Sequence, residues 1–360
     1  MDKGNNRIYW LDNLRTFLIF CVVLIHAGVV YEGSGFGTLF WIVSDPSSGR
    51  VFEILNLIID IFVMTTIFFI AGYFTPPSLK KKSGWAFLKS KFRRLMVPWT
   101  LAVLTLMPLY KFLFLYSRNL PQESWTSYFH WSNGIFSQSW LWFLPVLFLF
   151  DILYLLLDKL NINISILTLK SAVGAYFLIG LIYSVCMDMF SGVGWTKNFL
   201  INFQNERLLI YFMIFLTGAL CCKLKIFQSE KSGRKLALVV GLFAWIPVTL
   251  YTLLSFNAMT HIGQYHFSRF LDSLLIRFTL LLAMLCLIYL LVQTFRFFLN
   301  RAGKLMQELN RNSYGVYIIH TIVLGGLALT MLNTVIPSGI KYLILSVSTF
   351  AVCNLSLIHI

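Results

Sequence analysis

Charged side chains are scarce in this sequence. Only 12% of its 360 residues are Asp, Glu, Lys or Arg, about half the fraction that a soluble domain carries. The mean hydropathy is +0.76, and 58% of the residues are hydrophobic. This composition excludes a soluble domain with a large core and indicates an integral membrane protein.

Acidic residues are rarer still, and the cysteines show no functional spacing. There are 14 acidic and 29 basic residues, which gives a net charge of +15. The basic residues fall in short clusters between apolar runs, which is typical of loops in membrane proteins and offers no soluble face for nucleic acid. The six cysteines lack the spacing of metal ligands or of a disulfide framework. We therefore expect no metal and no permanently bound cofactor.

Ten apolar runs of about 20 residues predict ten transmembrane helices in one all-α domain over residues 1–354. The last six residues, Leu355-Ser-Leu-Ile-His-Ile360, look like the translation of a sequencing adapter. We expect them to cut the tenth helix short and exclude residues 355–360 as foreign. The approximate spans are 12–31, 51–74, 95–116, 138–158, 164–186, 201–222, 235–256, 269–295, 313–331 and 338–354.

The distribution of Lys and Arg predicts that the N-terminus and the C-terminus both face the cytoplasm. Most of the 29 basic residues then fall on cytoplasmic segments. The largest cluster holds seven positive charges between Lys80 and Arg94 and is predicted to be an inner loop. It would attract a phosphorylated cofactor, although orientation and anionic lipid alone also explain it.

Two polar residues of the first span share one helical face. Eleven positions separate Arg15 from His26, which is three turns plus about 20°, or about 16 Å along the axis. An ionisable residue at that depth suggests function. The alternatives are an interfacial arginine and a histidine that only bonds to a neighbouring helix.

Other polar residues lie inside predicted spans. His320 is either a functional group or a packing histidine. Asp60 and Arg277 are interpreted as structural partners of opposite charges, or of each other. A tryptophan that stacks on a sugar is expected on the outer side, at Trp131 or Trp140.

Several stretches resemble the membrane-bound acyltransferase-3 family, and they run in the family's order from residue 8 to about residue 322. The first is the arginine and histidine of the first span. The others are Phe68-Phe-Ile-Ala-Gly72-Tyr-Phe74, Lys91-Phe-Arg-Arg94-Leu-Met-Val-Pro98, Leu141-Trp-Phe-Leu144 and Ser313-Tyr-Gly-Val-Tyr317-Ile-Ile-His320. The family's basic segment usually reads Arg-x-x-Arg, and Lys91 departs from it, because lysine cannot make a bidentate phosphate contact.

The resemblance implies an O-acyltransferase of the bacterial cytoplasmic (inner) membrane, surrounded by lipids. It would move an acyl group from cytoplasmic acyl-coenzyme A to a hydroxyl of a cell-surface or periplasmic carbohydrate or glycolipid. The segments Tyr9-Trp-Leu-Asp-Asn-Leu-Arg15 and Leu141-Trp-Phe-Leu144 resemble the branch of the family that modifies periplasmic glucans. In that branch a succinyl donor is expected.

The resemblance also suggests roles for individual residues. His26 would be the general base, or would carry the acyl group covalently, and Arg15 would assist it. The donor phosphates would bind Arg15, Lys91, Arg93 and Arg94. Further candidate site residues, without an assigned role, are His320, Tyr317 and Asp60.

Two alternatives to an active enzyme remain at this point. A non-enzymatic transporter of a lipid-linked sugar or acyl carrier would also use buried charges. It predicts inverted repeats, which the sequence does not show. The other alternative is an inactive, truncated fragment, suggested by the unusual last six residues.

Overall fold

A computed structural model describes residues 8–33, 39–129, 138–162, 164–198, 200–228 and 233–358. Within these ranges the chain is almost entirely helical. The α-helices are α1 Tyr9–Val30, α2 Arg50–Asp60, α3 Val63–Lys80, α4 Gly84–Ser117, α5 Phe143–Lys159, α6 Leu169–Met189, α7 Leu208–Lys223, α8 Arg234–Phe243, α9 Trp245–Thr260, α10 Arg269–Phe298, α11 Lys304–Met331 and α12 Ser338–Ile358. A 3₁₀ helix, Ser139–Trp142, precedes α5. The strands β1 Trp195–Lys197 and β2 Asn202–Gln204 pair as an antiparallel hairpin.

The helices have the length and composition of membrane spans. Among the described residues, nine helical segments are long and apolar enough to cross a bilayer, and the apolar α7 is shorter. Two of the nine are interrupted, since α2 and α3 form one and α8 and α9 another. The prediction of an all-helical, polytopic membrane protein is confirmed, whereas the cytoplasmic placement of both termini stays a prediction.

The sixth predicted span begins too early. The prediction of a helix from residue 201 is wrong, because β2 occupies the first part of that segment. Asn205 donates from its side-chain amide to the carbonyl of Gly192 (2.9 Å), and Asn202 Oδ1 accepts from the amide of Asn198 (3.1 Å). Asparagine side chains that bond to nearby backbone in this way compete with helix formation. The helix therefore starts only at Leu208.

The basic segment is helical apart from a turn at residues 81–83, so the prediction of a loop from Lys80 to Arg94 is wrong for most of its length. Helix α3 continues to Lys80, and α4 begins at Gly84 after Ser83. The Ser83 hydroxyl caps α4 by accepting from the amide of Ala86 (3.3 Å). At 34 residues, α4 is about 51 Å long, while the hydrocarbon layer is about 30 Å thick. The length lets the basic first turns of α4 extend beyond the apolar layer.

Helix α1 is the central helix of the bundle. Of its membrane-spanning window 67% is buried, compared with 17% for α4 at the periphery. It contacts α2, α3, α10, α11 and α12. Its aliphatic residues Leu11, Leu14 and Leu18 have no exposed surface. Polar side chains on α1 therefore project into protein and not into lipid.

Helices α3 and α7 pack at backbone distance through two glycines. A Cβ at Gly72 would lie 1.9 Å from the carbonyl oxygen of Phe215, and a Cβ at Gly218 would lie 2.1 Å from that of Phe69. Small residues at such crossings let membrane helices approach closely. This contact explains why the Phe-Phe-Ile-Ala-Gly segment carries glycine at position 72.

Candidate functional site

Two histidines meet inside the bundle. His26 of α1 and His320 of α11 are joined by a hydrogen bond of 2.6 Å between His26 Nδ1 and His320 Nε2. The ring planes agree within 2°, and the ring centroids are 4.9 Å apart. Because the nitrogens are so much closer than the centroids, the rings meet edge to edge, as a linear N–H···N bond requires.

The backbone of α11 defines which nitrogen of each ring carries a proton. His320 Nδ1 lies 2.7 Å from the carbonyl oxygen of Tyr317, which can only accept, so Nδ1 must donate. His320 Nε2 is then an acceptor, and Nδ1 of His26 donates to it. His26 Nε2 is left with a free lone pair in this assignment, which follows from the hydrogen-bond network.

Aromatic side chains enclose the histidine pair. The ring of Trp41 lies 4.8 Å from that of His26, and the ring of Trp140 lies 6.4 Å from that of His320. Tyr317 donates from its hydroxyl to the carbonyl of Trp140. His320 has no exposed surface, while His26 is partly exposed. The Trp41 indole N–H is buried and has no partner among the described residues.

Arg15 also contacts α11, nearer the end of the bundle that carries the basic segment. Its Nε donates to the Ser313 hydroxyl (3.1 Å), and its Nη2 donates to the carbonyl of Asn310 (3.0 Å). Nη2 also lies 3.3 Å from Asp12. Ser313 precedes His320 by seven residues, about 10 Å along the helix. One helix therefore links the cation and the histidine pair.

The three cations predicted at the start of α4 have different surroundings. Arg93 and Arg94 are exposed, and the carbonyl of Arg94 accepts from the Tyr314 hydroxyl (2.6 Å). Lys91 instead forms an ion pair with Asp151 of α5 (2.9 Å), whose side chain has no exposed surface. The backbone of Arg94 thus lies beside Tyr314 of α11, next to the residue that Arg15 contacts, whereas the Lys91 side chain points toward α5. Their role in donor binding stays a prediction.

The other predicted intramembrane charges form separate ion pairs. Asp60 Oδ2 accepts from Arg207 Nη1 (2.6 Å), and Arg277 lies 3.7 Å from Asp188. Each has an opposite charge, as expected, but the alternative that Asp60 and Arg277 pair with each other is wrong. Neither pair is part of the histidine cluster.

A cleft of about 750 Å³ opens where α3, α5 and α7 end, on the same side of the bundle as Arg15. Lysines from three segments line it, namely Lys80, Lys82, Lys159 and Lys223. It lies beside α5, whereas Arg15 lies beside α11. The cleft is therefore a second basic surface and not a continuation of the Arg15 site.

Sequence reasoning missed several residues of the site. Trp41 lies outside every predicted span, and no pattern in the sequence marks it. Trp140 was expected to stack on a sugar, but it is only 3% exposed and packs against His320. The alternative, Trp131, lies outside the described residues. Asp151 is a lone acidic residue in an apolar run. That isolation was the sequence signal that it pairs with a basic residue, which the structure shows to be Lys91.

Comparison with known protein families gives a match. The family model described as an acyltransferase domain matches residues 8–357. Neither a curated protein nor a solved structure matches the chain. The match spans the whole helical bundle, including the arginine, both histidines and the cations of α4. The chain therefore belongs to the acyltransferase-3 family and is a membrane acyltransferase.

Proposed function

We propose that the protein transfers an acyl group from acyl-coenzyme A to a hydroxyl of a carbohydrate or glycolipid, with His26 as the general base. The observation that carries the proposal is the hydrogen-bond chain from the Tyr317 carbonyl through His320 to His26 Nδ1. It leaves a lone pair on His26 Nε2, which is the group that a base needs. The family match supports acyl transfer.

The reaction balances with one base. His26 Nε2 removes the proton of the acceptor hydroxyl as the oxygen attacks the thioester carbonyl carbon. The tetrahedral intermediate expels the thiolate of coenzyme A, and His26 returns the proton to that sulfur. His320 Nε2 accepts the hydrogen bond from His26 Nδ1 throughout, so it orients the ring and stabilises its transient positive charge.

Trp41 supplies a candidate donor for the developing oxyanion. Its indole N–H is buried without a partner among the described residues, and its ring lies beside that of His26. A buried donor without a partner costs about 1–3 kcal/mol. Substrate oxygen is a suitable acceptor, and preorganised donors of this kind give large rate effects.

The donor is expected to enter from the basic side of the bundle. The Arg15 side chain contacts Ser313 of α11, and the backbone carbonyl of the exposed Arg94 accepts from Tyr314 of the same helix. Guanidinium groups bind phosphate well. From Arg15 to His26 is about 16 Å along α1, a distance that the pantetheine arm would span. The lysine cleft beside α5 offers additional positive charge for the nucleotide.

The setting and acceptor follow from the resemblance and not from the contacts. We place the enzyme in the cytoplasmic membrane of a bacterium, with an acceptor made for the cell surface. A periplasmic glucan and a succinyl donor are the specific expectation.

Reconstitution in liposomes tests the base. Purified protein is supplied with acyl-coenzyme A carrying a labelled acyl group and with a cell-surface glycan extract, and label in the glycan is measured. His26→Ala should lower transfer about 10²- to 10⁴-fold. The matched control is His261→Ala, which changes an exposed histidine and should leave transfer intact.

Two outcomes would contradict this role. Normal transfer by a folded His26→Ala variant would exclude His26 as the base. Labelled enzyme trapped with a slow thioester, and lost in His26→Ala, would instead establish an acyl-histidine mechanism.

A further inference from the structure

The second membrane segment is interrupted at a charged residue. Helix α2 ends at Asp60 and α3 begins at Val63. At the break, the hydroxyls of Thr65 and Thr66 donate to the carbonyl of Phe62 (2.9 and 2.6 Å). Irregular backbone at membrane depth is tolerated where it is buried in protein or lines an aqueous cavity. In membrane transporters such interruptions form substrate sites.

The carboxylate of Asp60 lies at this interruption and is partly accessible. Ten residues separate it from Arg50 at the start of α2, about 15 Å along the axis. Its side chain is 36% exposed. One oxygen pairs with Arg207, and no described residue binds the other. A carboxylate at that depth does not face lipid, so the accessible surface indicates an aqueous recess.

Arg207 closes one side of the recess. It immediately precedes α7 and is buried. Besides the pair with Asp60, its Nη1 lies 3.5 Å from the Tyr211 hydroxyl. Its Nε has no partner among the described residues. The pair has no net charge, yet it presents hydrogen-bond donors and acceptors side by side.

Aromatic rings form the other side. Trp195 of β1 is 42% exposed, and its ring centroid lies 5.4 Å from that of Trp142. The ring of Trp142 lies 6.0 Å from that of Tyr211, at 29°. Tyr211 is 3.4 Å from the side-chain oxygen of Gln204 in β2. We call this group the hairpin recess: Asp60, Trp142, Trp195, Gln204, Arg207 and Tyr211.

We propose that the hairpin recess binds a neutral sugar ring of the acceptor, remote from the ring that is acylated. This rests on the proposed function. A sugar has an apolar C–H face that matches indole rings, and its hydroxyls both donate and accept. The ion pair of Asp60 and Arg207 has no net charge and offers both acceptors and donors to adjacent hydroxyls, whereas an ionic ligand would be repelled by one member of the pair.

The recess is coupled to the histidine pair by a short segment. Trp140 and Trp142 both belong to the 3₁₀ helix Ser139–Trp142. Trp140 contacts His320, while Trp142 faces the recess. Phe143 completes the wall between them, with ring contacts to Phe68 and Tyr317. Aromatic side chains therefore lie between the recess and the histidine pair, so a sugar held in the recess is not the one that is acylated.

Binding without acyl donor tests the proposal. Detergent-purified protein is applied to an array of immobilised neutral and acidic oligosaccharides. The wild type should retain neutral oligosaccharides. Trp195→Ala and Asp60→Asn should weaken retention about tenfold or more. Trp125→Ala, at another exposed tryptophan, and Asp188→Asn, at the other ion pair, are the matched controls.

The result is decisive in either direction. Retention of no neutral oligosaccharide by the wild type, or equal retention by Trp195→Ala, overturns the sugar site. Asp60→Asn leaves Arg207 without its carboxylate partner, so the thermal unfolding of this variant is measured as well. If Asp60→Asn does not fold, the result for Trp195→Ala alone decides the test. Binding that depends on Trp195, found together with active His26→Ala, would keep the recess and reject the proposed base.

Discussion

Two helix pairs in this bundle are held together by opposite means. Helices α3 and α7 meet through Gly72 and Gly218, with backbone against backbone. Helices α1 and α11 meet through side-chain hydrogen bonds at two levels: Arg15 to Ser313 and Thr16 to Asn310 near the start of α1, and His26 to His320 farther along. The first contact uses no polar side chain, and the second uses polar pairs at both levels.

The difference separates structure from chemistry. Lipid provides no hydrophobic drive for helix association, so close packing of small residues is an efficient way to join helices. Polar groups at that depth are expensive and contribute modestly to stability. A ladder of them from one end of α1 toward the other is therefore better explained by a reaction than by folding.

The largest effect is expected at the glycine contact. Gly72→Ala would force its Cβ against the Phe215 carbonyl, so the helices must separate, at about 3 kcal/mol or more. Thermal unfolding of the purified protein measures the loss. The control is Gly326→Ala in α11, where nothing lies within 4 Å of the new Cβ. Equal melting of the two variants would contradict the close contact.

His320→Ala should lower kcat about 10²-fold with little change in KM for acyl-coenzyme A, because His320 orients the base without touching the donor. His320→Gln should recover part of the rate, since its amide can donate to the Tyr317 carbonyl and its oxygen can accept from His26. Steady-state kinetics in liposomes measures both. A Gln variant as slow as the Ala variant would indicate a packing histidine.

Trp41→Phe keeps an aromatic ring beside His26 and removes only the N–H. Loss of an oxyanion donor should lower kcat about 10- to 100-fold. Trp99→Phe is the matched control, because its indole N–H is also buried without a partner among the described residues, but it lies on α4. If both variants keep the wild-type kcat, Trp41 does not bind the oxyanion.

Arg15→Ala should raise KM for acyl-coenzyme A about tenfold, through loss of a phosphate contact. The KM of Arg15→Lys should lie between those of the wild type and of Arg15→Ala. Arg311→Ala serves as control, since Arg311 is exposed (77% of its side chain) at the same end of the bundle. An unchanged KM in Arg15→Ala, with lower thermal stability, would make the α1–α11 ladder purely structural at this level.

The sequence predicted the parts of this comparison that depend on local spacing. Arg15 and His26 share a face of α1 because eleven positions bring a helix back to nearly the same direction. Apolar run length was enough to find the long apolar helices, although the sixth begins later and is shorter than predicted. Both depend on one helix at a time.

What the sequence did not predict depends on partners far along the chain. Nothing local shows that His26 meets His320, that Asp60 chooses Arg207 over Arg277, or that Lys91 turns to Asp151. The hairpin before α7 was missed for another reason: the apolar run continues toward it, while its asparagines favour bonds to nearby backbone.

The histidine pair also orders events during synthesis. Its two members are 294 positions apart in the chain, so the second is made and inserted long after the first. Until α11 docks, His26 has no partner to orient it, and Arg15 lacks Ser313. In the proposed mechanism, a nascent chain would therefore acquire the proposed base only once nearly the whole bundle is assembled, and partly inserted protein would not react with the acyl donor.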